Sequence, residues 1–144
     1  MSDQTFRDSN YERICPYCIE LFQSNHANRR FCKGKNGQAD YCKIRFDGQI
    51  KKLQQRGEGN NRFAKPNARE NYQRMFNIQV LSNLYNADFF FLDEDDFDKL
   101  NYDMNIFDKQ RRLGNSSLYV VDIGRFQLQW AEDKIITITK KQQL

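Results

Sequence analysis

Four cysteines placed close together constrain this chain more than any other feature of its sequence. They are Cys15, Cys18, Cys32 and Cys42, and the 144-residue chain has no others. A two-residue gap lets the thiolates of Cys15 and Cys18 point at one ion from a tight turn, and zinc prefers four ligands of this kind in a tetrahedron. The spacing therefore predicts one structural zinc ion, held by all four cysteines.

The fourth ligand is the part of this pattern that spacing alone leaves open. Nine residues separate Cys32 from Cys42, whereas the second ligand pair of such fingers is generally roughly two to four residues apart. We interpret residues 33–41, which are polar and contain glycine, as an inserted loop. His26 is the alternative fourth ligand, but its Ser-Asn-His-Ala-Asn context is typical of a solvated loop, so the sequence favours Cys42.

Two other uses of the cysteines are disfavoured. Cys15-Pro16-Tyr17-Cys18 is also the active-site tetrapeptide of glutaredoxins, but there an apolar strand precedes the motif, and residues 8–13 of this chain are polar. The polar N-terminus lacks the apolar core of a signal peptide, and thiols in the cytosol stay reduced. The sequence thus predicts a cytoplasmic protein with a metal site and no disulfides.

Catalysis is not expected at this metal. A hydrolytic zinc needs an open position for water, and four cysteines close the coordination sphere. The chain has a single histidine and no glycine-rich phosphate loop. The sequence predicts a protein that is not an enzyme, has no small-molecule substrate and, without an apolar run of ~20 residues, no membrane span.

The chain divides into two predicted units of an α+β fold. Residues 1–12 are interpreted as a flexible tail and 13–56 as a treble-clef-like or zinc-ribbon finger, whose helix buries Phe46, Ile50 and Leu53. A knuckle at the first cysteine pair, a hairpin over residues 19–31 and a ligand at the start of that helix make up the predicted finger. Gly, Asn and Pro make 57–66 a linker. Residues 67–144 form the second unit.

The second unit is predicted to contain two or three helices and a three-stranded antiparallel β-meander. The first helix runs over 67–86, with Asn67 and Glu70 as a capping box and a buried stripe at a four-residue period, formed by Tyr72, Phe76, Val80 and Leu84. A short helix begins at Asp93. The predicted strands are 118–122, 126–130 and 135–139. A third helix over 105–113, with Lys109, Arg111 and Arg112, would make a winged helix.

Charge is unevenly distributed along the chain. Residues 1–74 contain 15 basic and 8 acidic side chains, and residues 75–144 contain 8 basic and 11 acidic ones. A basic surface attracts nucleic acid through its phosphates. We therefore predict DNA or RNA as partner, with a protein partner of the second unit as the alternative. The candidate nucleic-acid-binding residues are Arg29, Arg30, Lys33, Lys35, Lys43, Arg45, Lys51 and Lys52, and Tyr17, Phe31 and Tyr41 are candidates for base stacking or for packing.

These motifs together resemble a group of short bacterial zinc-ribbon or zinc-finger proteins found on chromosomes and mobile elements. The resemblance rests on Cys15-Pro16-Tyr17-Cys18, on Arg29-Arg30-Phe31-Cys32 and on Cys42 with its basic helix. It continues in helix 67–86, in residues 96–101 and in the turn at 119–124. The chain departs from the group between Cys32 and Cys42, where the group usually has three residues. The resemblance implies zinc binding and a small α+β C-terminal unit, without a particular activity.

Overall fold

The computed structural model describes residues 11–26, 29–33, 40–57, 68–114 and 118–141. Within them the chain forms, in order, β1 (Tyr11–Ile14), β2 (Leu21–Ser24), α1 (Tyr41–Gln55), α2 (Ala68–Asn86), β3 (Phe91–Asp93), α3 (Glu94–Lys99), β4 (Lys109–Arg112), β5 (Tyr119–Ile123), β6 (Phe126–Trp130) and β7 (Ile135–Lys140). The predicted linker after Gly57, the cap at Asn67 and the candidate Lys35 lie outside the described residues. Strand β1 includes Tyr11 and Glu12, which the sequence assigned to the tail.

The C-terminal sheet has five antiparallel strands in the order β3-β7-β6-β5-β4. The predicted three-stranded meander is its centre, where β6 pairs with β5 on one side and β7 on the other. The prediction of only three strands is wrong, because β3 adds to β7 and β4 adds to β5. Inward-facing residues of neighbouring strands, such as Val121, Leu128 and Ile138, are opposite one another and buried.

Strand β4 replaces the predicted third helix over 105–113. Asp103 caps a turn by accepting the backbone N–H of Asn105 at 2.9 Å, and the buried side chain of Asn77 donates to the carbonyl oxygens of Asp103 and Ile106. The chain then forms β4, which pairs antiparallel with β5 and places Lys109 opposite Asp122. These pairings between distant residues outweigh the local preference for a helix, so the winged-helix hypothesis loses its third helix.

Helix α2 lies at the centre of the molecule and is buried around most of its circumference. The predicted stripe is confirmed at Phe76, Val80 and Leu84, which are fully buried, but Tyr72 is 37% exposed. The helix also buries polar side chains, including Arg74 and Asn77. A helix enclosed on several sides does not show a single apolar face, which is why the four-residue period described only part of its buried surface.

Helix α1 packs against α2 and shares its core. Phe46, Ile50 and Leu53 are buried as predicted and belong to the same apolar cluster as the inner face of the sheet. The ring of Phe46 lies 5.4 Å from Phe31 and 5.0 Å from Phe76, measured between centroids. The helix of the predicted finger and the first helix of the predicted second unit are therefore joined through one core.

Helix α3 begins with an acidic first turn that caps its N-terminus. Asp93 accepts the backbone N–H of Asp96 at 2.8 Å, and Asp96 accepts the N–H of Asp93, which completes a capping box. The prediction of a short helix that begins at Asp93 is thus confirmed. None of the helices in the described part of the chain is long and apolar enough to cross a membrane.

Candidate metal centre and basic helix face

The first two cysteines lie in the turn of the β1–β2 hairpin. The backbone N–H of Ile19 donates to the carbonyl oxygen of Cys15 at 2.8 Å, and the N–H of Cys15 donates to the carbonyl oxygen of Glu20 at 3.0 Å. The turn requires Ile19 to adopt a φ of 57°, which is uncommon for a β-branched residue. The hairpin thus surrounds the first cysteine pair, whereas the sequence placed it between Cys18 and Cys32.

The other two cysteines approach this turn from the far side of the finger. Cys42 lies in the first turn of α1 and is fully buried, and Cys32 lies in the segment before α1. The Sγ of Cys32 is 3.5 Å from that of Cys42 and 3.9 Å from that of Cys18. All four Sγ atoms lie within 4.8 Å of one another. With Zn–S bonds of about 2.3 Å, a zinc tetrahedron places its sulfurs about 3.8 Å apart, so the cluster fits such an ion.

The protonation of the thiols also depends on this crowding. Burial opposes the ionisation of Cys15, but hydrogen bonds from the backbone of Cys18, Cys32 and Tyr17 leave its pKa below the ordinary value. Burial and the neighbouring Cys15 raise the pKa of Cys18 to about 12. Burial, with the hydrogen bond to Cys32, raises the pKa of Cys42. Four thiolates at this spacing need a cation to balance them, and metal binding releases their protons.

The alternatives to a four-cysteine site are less well supported by the geometry. Among the described residues, the group that could hold a metal comprises the four cysteines. His26 is exposed, and its backbone N–H donates to Ser24 Oγ at 3.0 Å. A disulfide requires sulfurs about 2.05 Å apart, and all four cysteines are free. The Cys-x-x-Cys turn is followed by the antiparallel strand β2 and not by a helix, whereas the glutaredoxin motif belongs to a βαβ unit.

Two of the candidate basic residues make contacts within the protein, one inside the finger and one with α2. Arg29 is half-buried and its Nε donates to the carbonyl oxygen of Phe31 at 2.9 Å. Arg30 is half-buried as well, and its guanidinium lies over the ring of Phe76 at 4.9 Å. Together with Asp40 they line a cleft of about 260 Å³ beside Cys32. These contacts favour a structural role for both arginines over direct phosphate contact.

The candidates on α1 lie on its exposed face. Lys43, Arg45, Lys51 and Lys52 are all exposed and lie outside the buried stripe of the helix. Lys43 forms an ion pair with Asp47 at 3.3 Å. Asp47 is the only acidic residue within α1, so the exposed face carries a net positive charge. We refer to these four basic residues as the basic face of α1. Of the remaining candidates, Lys33 is exposed and Lys35 lies outside the described residues.

The three aromatic candidates are all half-buried, and Tyr17 as well as Phe31 packs against the core. Phe31 packs against the core beside Phe46, as expected of a packing residue. Tyr17 and Tyr41 meet edge to face, with centroids 6.3 Å apart and planes at 78°. The guanidinium of Arg45 lies over the Tyr41 ring at 4.8 Å. The two tyrosines therefore lie beside Arg45 of the basic face of α1, each with part of its side chain exposed.

One residue that positions this region was missed in the sequence. The side chain of Asn83 on α2 donates to the carbonyl oxygen of Pro16 and to Gln49 Oε1, and it accepts from Gln49 Nε2 at 3.1 Å. This network joins the cysteine turn to both long helices. Asn83 Oδ1 also accepts from Gln79 Nε2, four residues earlier, but the partners that join it to the turn and to α1, Pro16 and Gln49, are distant along the chain and could not be found from the local sequence.

Comparison of the chain with protein-family models, with curated proteins and with solved structures finds no match. The resemblance to short bacterial zinc-finger proteins accordingly stays a prediction. The four-cysteine cluster and the basic face of α1 are the features of the described residues that bear on function.

Proposed function

We propose that this chain holds one structural zinc ion and binds nucleic acid through the basic face of α1. The observation that carries the proposal is that one helix bears both features. Cys42 lies in the first turn of α1, and the four basic residues occupy exposed positions of the same helix between Lys43 and Lys52. A metal bound at Cys42 would fix the helix, and with it the spacing of the charges.

The proposed role of zinc is structural. Cys15, Cys18, Cys32 and Cys42 would supply all four ligands, so the ion would have no open position at which to activate water. Its contribution would be to tie the β1–β2 hairpin to α1 across a finger whose own core is small. The proposal therefore includes no enzymatic activity at this centre.

The proposed role of the basic face is to contact phosphates. Affinity from such contacts is independent of sequence and falls with salt, because each neutralised phosphate releases counterions. The ion pair between Lys43 and Asp47 is exposed and contributes little, so it leaves Lys43 able to exchange its partner for a phosphate. DNA and RNA share this chemistry, and the basic face does not by itself distinguish them.

The test measures binding of the zinc-loaded protein to DNA and to RNA over a series of salt concentrations. Replacing Lys43, Arg45, Lys51 and Lys52 by Gln should weaken binding to all sequences alike. It should also make the salt dependence shallower, by about 0.9 in log–log slope for each duplex phosphate that the variant no longer neutralises. Zinc content should not change, since none of the four is a candidate ligand.

A charge-matched control separates direct phosphate binding from net charge. Replacing Lys109, Arg111, Arg112 and Arg125 by Gln removes the same charge from exposed positions in and beside the sheet. This variant should bind nearly as the parent does. If the parent binds neither nucleic acid at low salt, or if the two quadruple variants are indistinguishable, the proposal is wrong.

An adaptor that binds a protein partner is the second candidate, and an exposed apolar patch favours it. Leu21, Phe89 and Phe91 are 58%, 45% and 67% exposed. They line a cleft of about 300 Å³ together with Ile14 and Ile19. Exposed apolar groups that cluster are a recurrent mark of interaction sites. This candidate predicts that the basic-face variant retains every binding property of the parent.

A further inference from the structure

A groove of about 610 Å³ runs along the exposed side of α1, next to the cysteine turn. One wall is Tyr17, in the turn between Cys15 and Cys18. The rest is contributed by α1. Its lining residues are Tyr17, Tyr41, Ile44, Arg45, Gly48, Gln49 and Lys52. None of these residues is acidic, although the chain as a whole has 19 acidic side chains.

Gly48 forms part of this groove and has no explanation within the described part of the chain. It lies in the interior of α1, where glycine is the least favourable residue other than proline. A Cβ built at Gly48 would meet no described atom within 4 Å. Its backbone is not in the left-handed region either, so neither packing nor backbone conformation requires glycine there.

Gly124, by contrast, is a glycine that the fold of this protein requires. Its φ is +56°, and a Cβ there would lie 3.0 Å from Ile78 Cδ1. Both the backbone and a packed neighbour demand glycine at that turn. At Gly48 neither the backbone conformation nor a packed neighbour requires glycine. A side chain at this position would occupy the open floor of the groove. The absent side chain leaves room for a ligand that approaches the backbone of α1.

The walls of the groove present flat groups at a fixed geometry. The guanidinium of Arg45 covers the Tyr41 ring, and Tyr17 meets that ring edge to face. The reciprocal hydrogen bonds between Gln49 and Asn83, with the bond from Asn83 to Pro16, hold the turn against α1. The groove is therefore built before a ligand enters, and it is built from groups on which a planar ring can stack.

These features select an unpaired base as the occupant. Aromatic rings and arginine planes stack on bases that are splayed out of a single strand, and Lys52, which also lines the groove, can bind a neighbouring phosphate. A duplex offers its phosphates to the basic face but keeps its bases stacked. We propose that the groove binds a base of single-stranded nucleic acid, and that Gly48 allows the base to lie against the helix. This inference rests on the proposed function.

The test compares a single-stranded oligonucleotide with a hairpin duplex of the same composition, by fluorescence anisotropy on the zinc-loaded protein. Gly48→Gln fills the groove with a residue that favours helix, so the melting temperature should not fall. Binding to the single strand should weaken by about tenfold, as expected when one base can no longer stack, whereas duplex binding should change less than about twofold. Gln54→Ala, on the exposed part of α1 outside the groove, should bind as the parent does.

A second variant addresses stacking directly. Tyr41→Leu keeps an apolar side chain but removes the ring, and its zinc content is measured alongside to show that the adjacent Cys42 still binds metal. It should weaken single-strand binding more than duplex binding. If Gly48→Gln and Tyr41→Leu both bind the single strand as the parent does, or weaken single-strand and duplex binding equally, the groove proposal is overturned while phosphate binding stands. If the parent binds neither oligonucleotide, the proposed function fails first.

Discussion

The side-chain amide of Asn83 donates a hydrogen bond to the carbonyl oxygen of Pro16 across 2.9 Å, although 67 positions separate them in the chain. Pro16 lies between the first two cysteines, and Asn83 lies in the central helix. A second pair of hydrogen bonds joins Asn83 to Gln49 on α1. The cysteine turn is thus joined to both long helices by hydrogen bonds through Asn83.

Asn83→Ala tests this support. The change leaves the Pro16 carbonyl and the Gln49 side chain without their partner, at a cost of about 1–3 kcal/mol in the free energy of unfolding. Zinc should also leave the protein faster when challenged with a chromogenic chelator. Asn86→Ala, at the exposed end of the same helix, should stay within about 0.5 kcal/mol. Equal rates of zinc release from the two variants would count against the support.

Metal content tests the ligand set. The sulfur spacing predicts one zinc per chain in protein purified under reducing conditions, measured by elemental analysis. Cys15→Ser, Cys32→Ser and Cys42→Ser should each lose most of it, because an alcohol is a poor substitute for a thiolate. His26→Ala should keep the full amount. If His26→Ala loses the metal and Cys42→Ser keeps it, the fourth ligand has been assigned to the wrong residue.

Phe46→Ala tests whether the finger and the sheet share one core. The ring is fully buried between Phe31 and Phe76, and truncation of such a ring costs about 3–5 kcal/mol. Chemical denaturation followed by Trp130 fluorescence, which reports on the sheet, should show the whole decrease in stability. Ile44→Ala, on the exposed side of α1 at 65% exposure, is the matched control. A transition at Trp130 that does not move in Phe46→Ala would mean that the two parts unfold independently.

Arg74 and Asp108 form an ion pair with two hydrogen bonds between the side chains. Arg74 Nε and Nη2 each donate to one carboxylate oxygen, at 2.6 Å and 2.8 Å, and Asp108 Oδ2 also accepts the N–H of Gly124. Asp108→Ala leaves a buried guanidinium with fewer partners and should lower the free energy of unfolding by about 1–3 kcal/mol.

The exposed pair of Lys43 and Asp47 provides the comparison for this prediction. Asp47→Ala should cost no more than about 0.5 kcal/mol, because such surface pairs contribute little. Thermal and urea unfolding of both variants check the difference. Equal effects of the two substitutions would show that the burial of Arg74 does not matter to the strength of its ion pair.

Local patterns in the sequence were sufficient where an element depends on its own residues. The buried side of α1 follows from Phe46, Ile50 and Leu53, and β6 follows from the alternation between Phe126 and Trp130. The cysteine cluster is similar, because the Cys-x-x-Cys turn is local and zinc constrains where the other two sulfurs can lie. For these features the period or the spacing carries the information.

Contacts between distant residues decided the features that were not foreseen. Strand β4 reads Lys-Gln-Arg-Arg, which has no strand alternation, and only its pairing with β5 makes it a strand. Tyr72 is exposed because the elements that pack around α2 leave its side of the helix uncovered, and the sequence of α2 alone does not show which side that is. The groove at Gly48 requires Tyr17 to be brought beside α1, which neither segment specifies alone.

The order of the sheet has a consequence for how separate copies of this chain meet. The sheet of the described residues ends at β4 and β3, and unpaired edge strands are where folded chains join into fibres. Three of the four residues of β4 are Lys109, Arg111 and Arg112, and the whole strand is exposed, so an approaching copy would bring like charges together. The opposite edge, β3, is only three residues long. The β4 edge repels the β4 edge of another copy, and the β3 edge is too short to pair stably with an added strand. Both features oppose the polymerisation of this protein through its sheet edges.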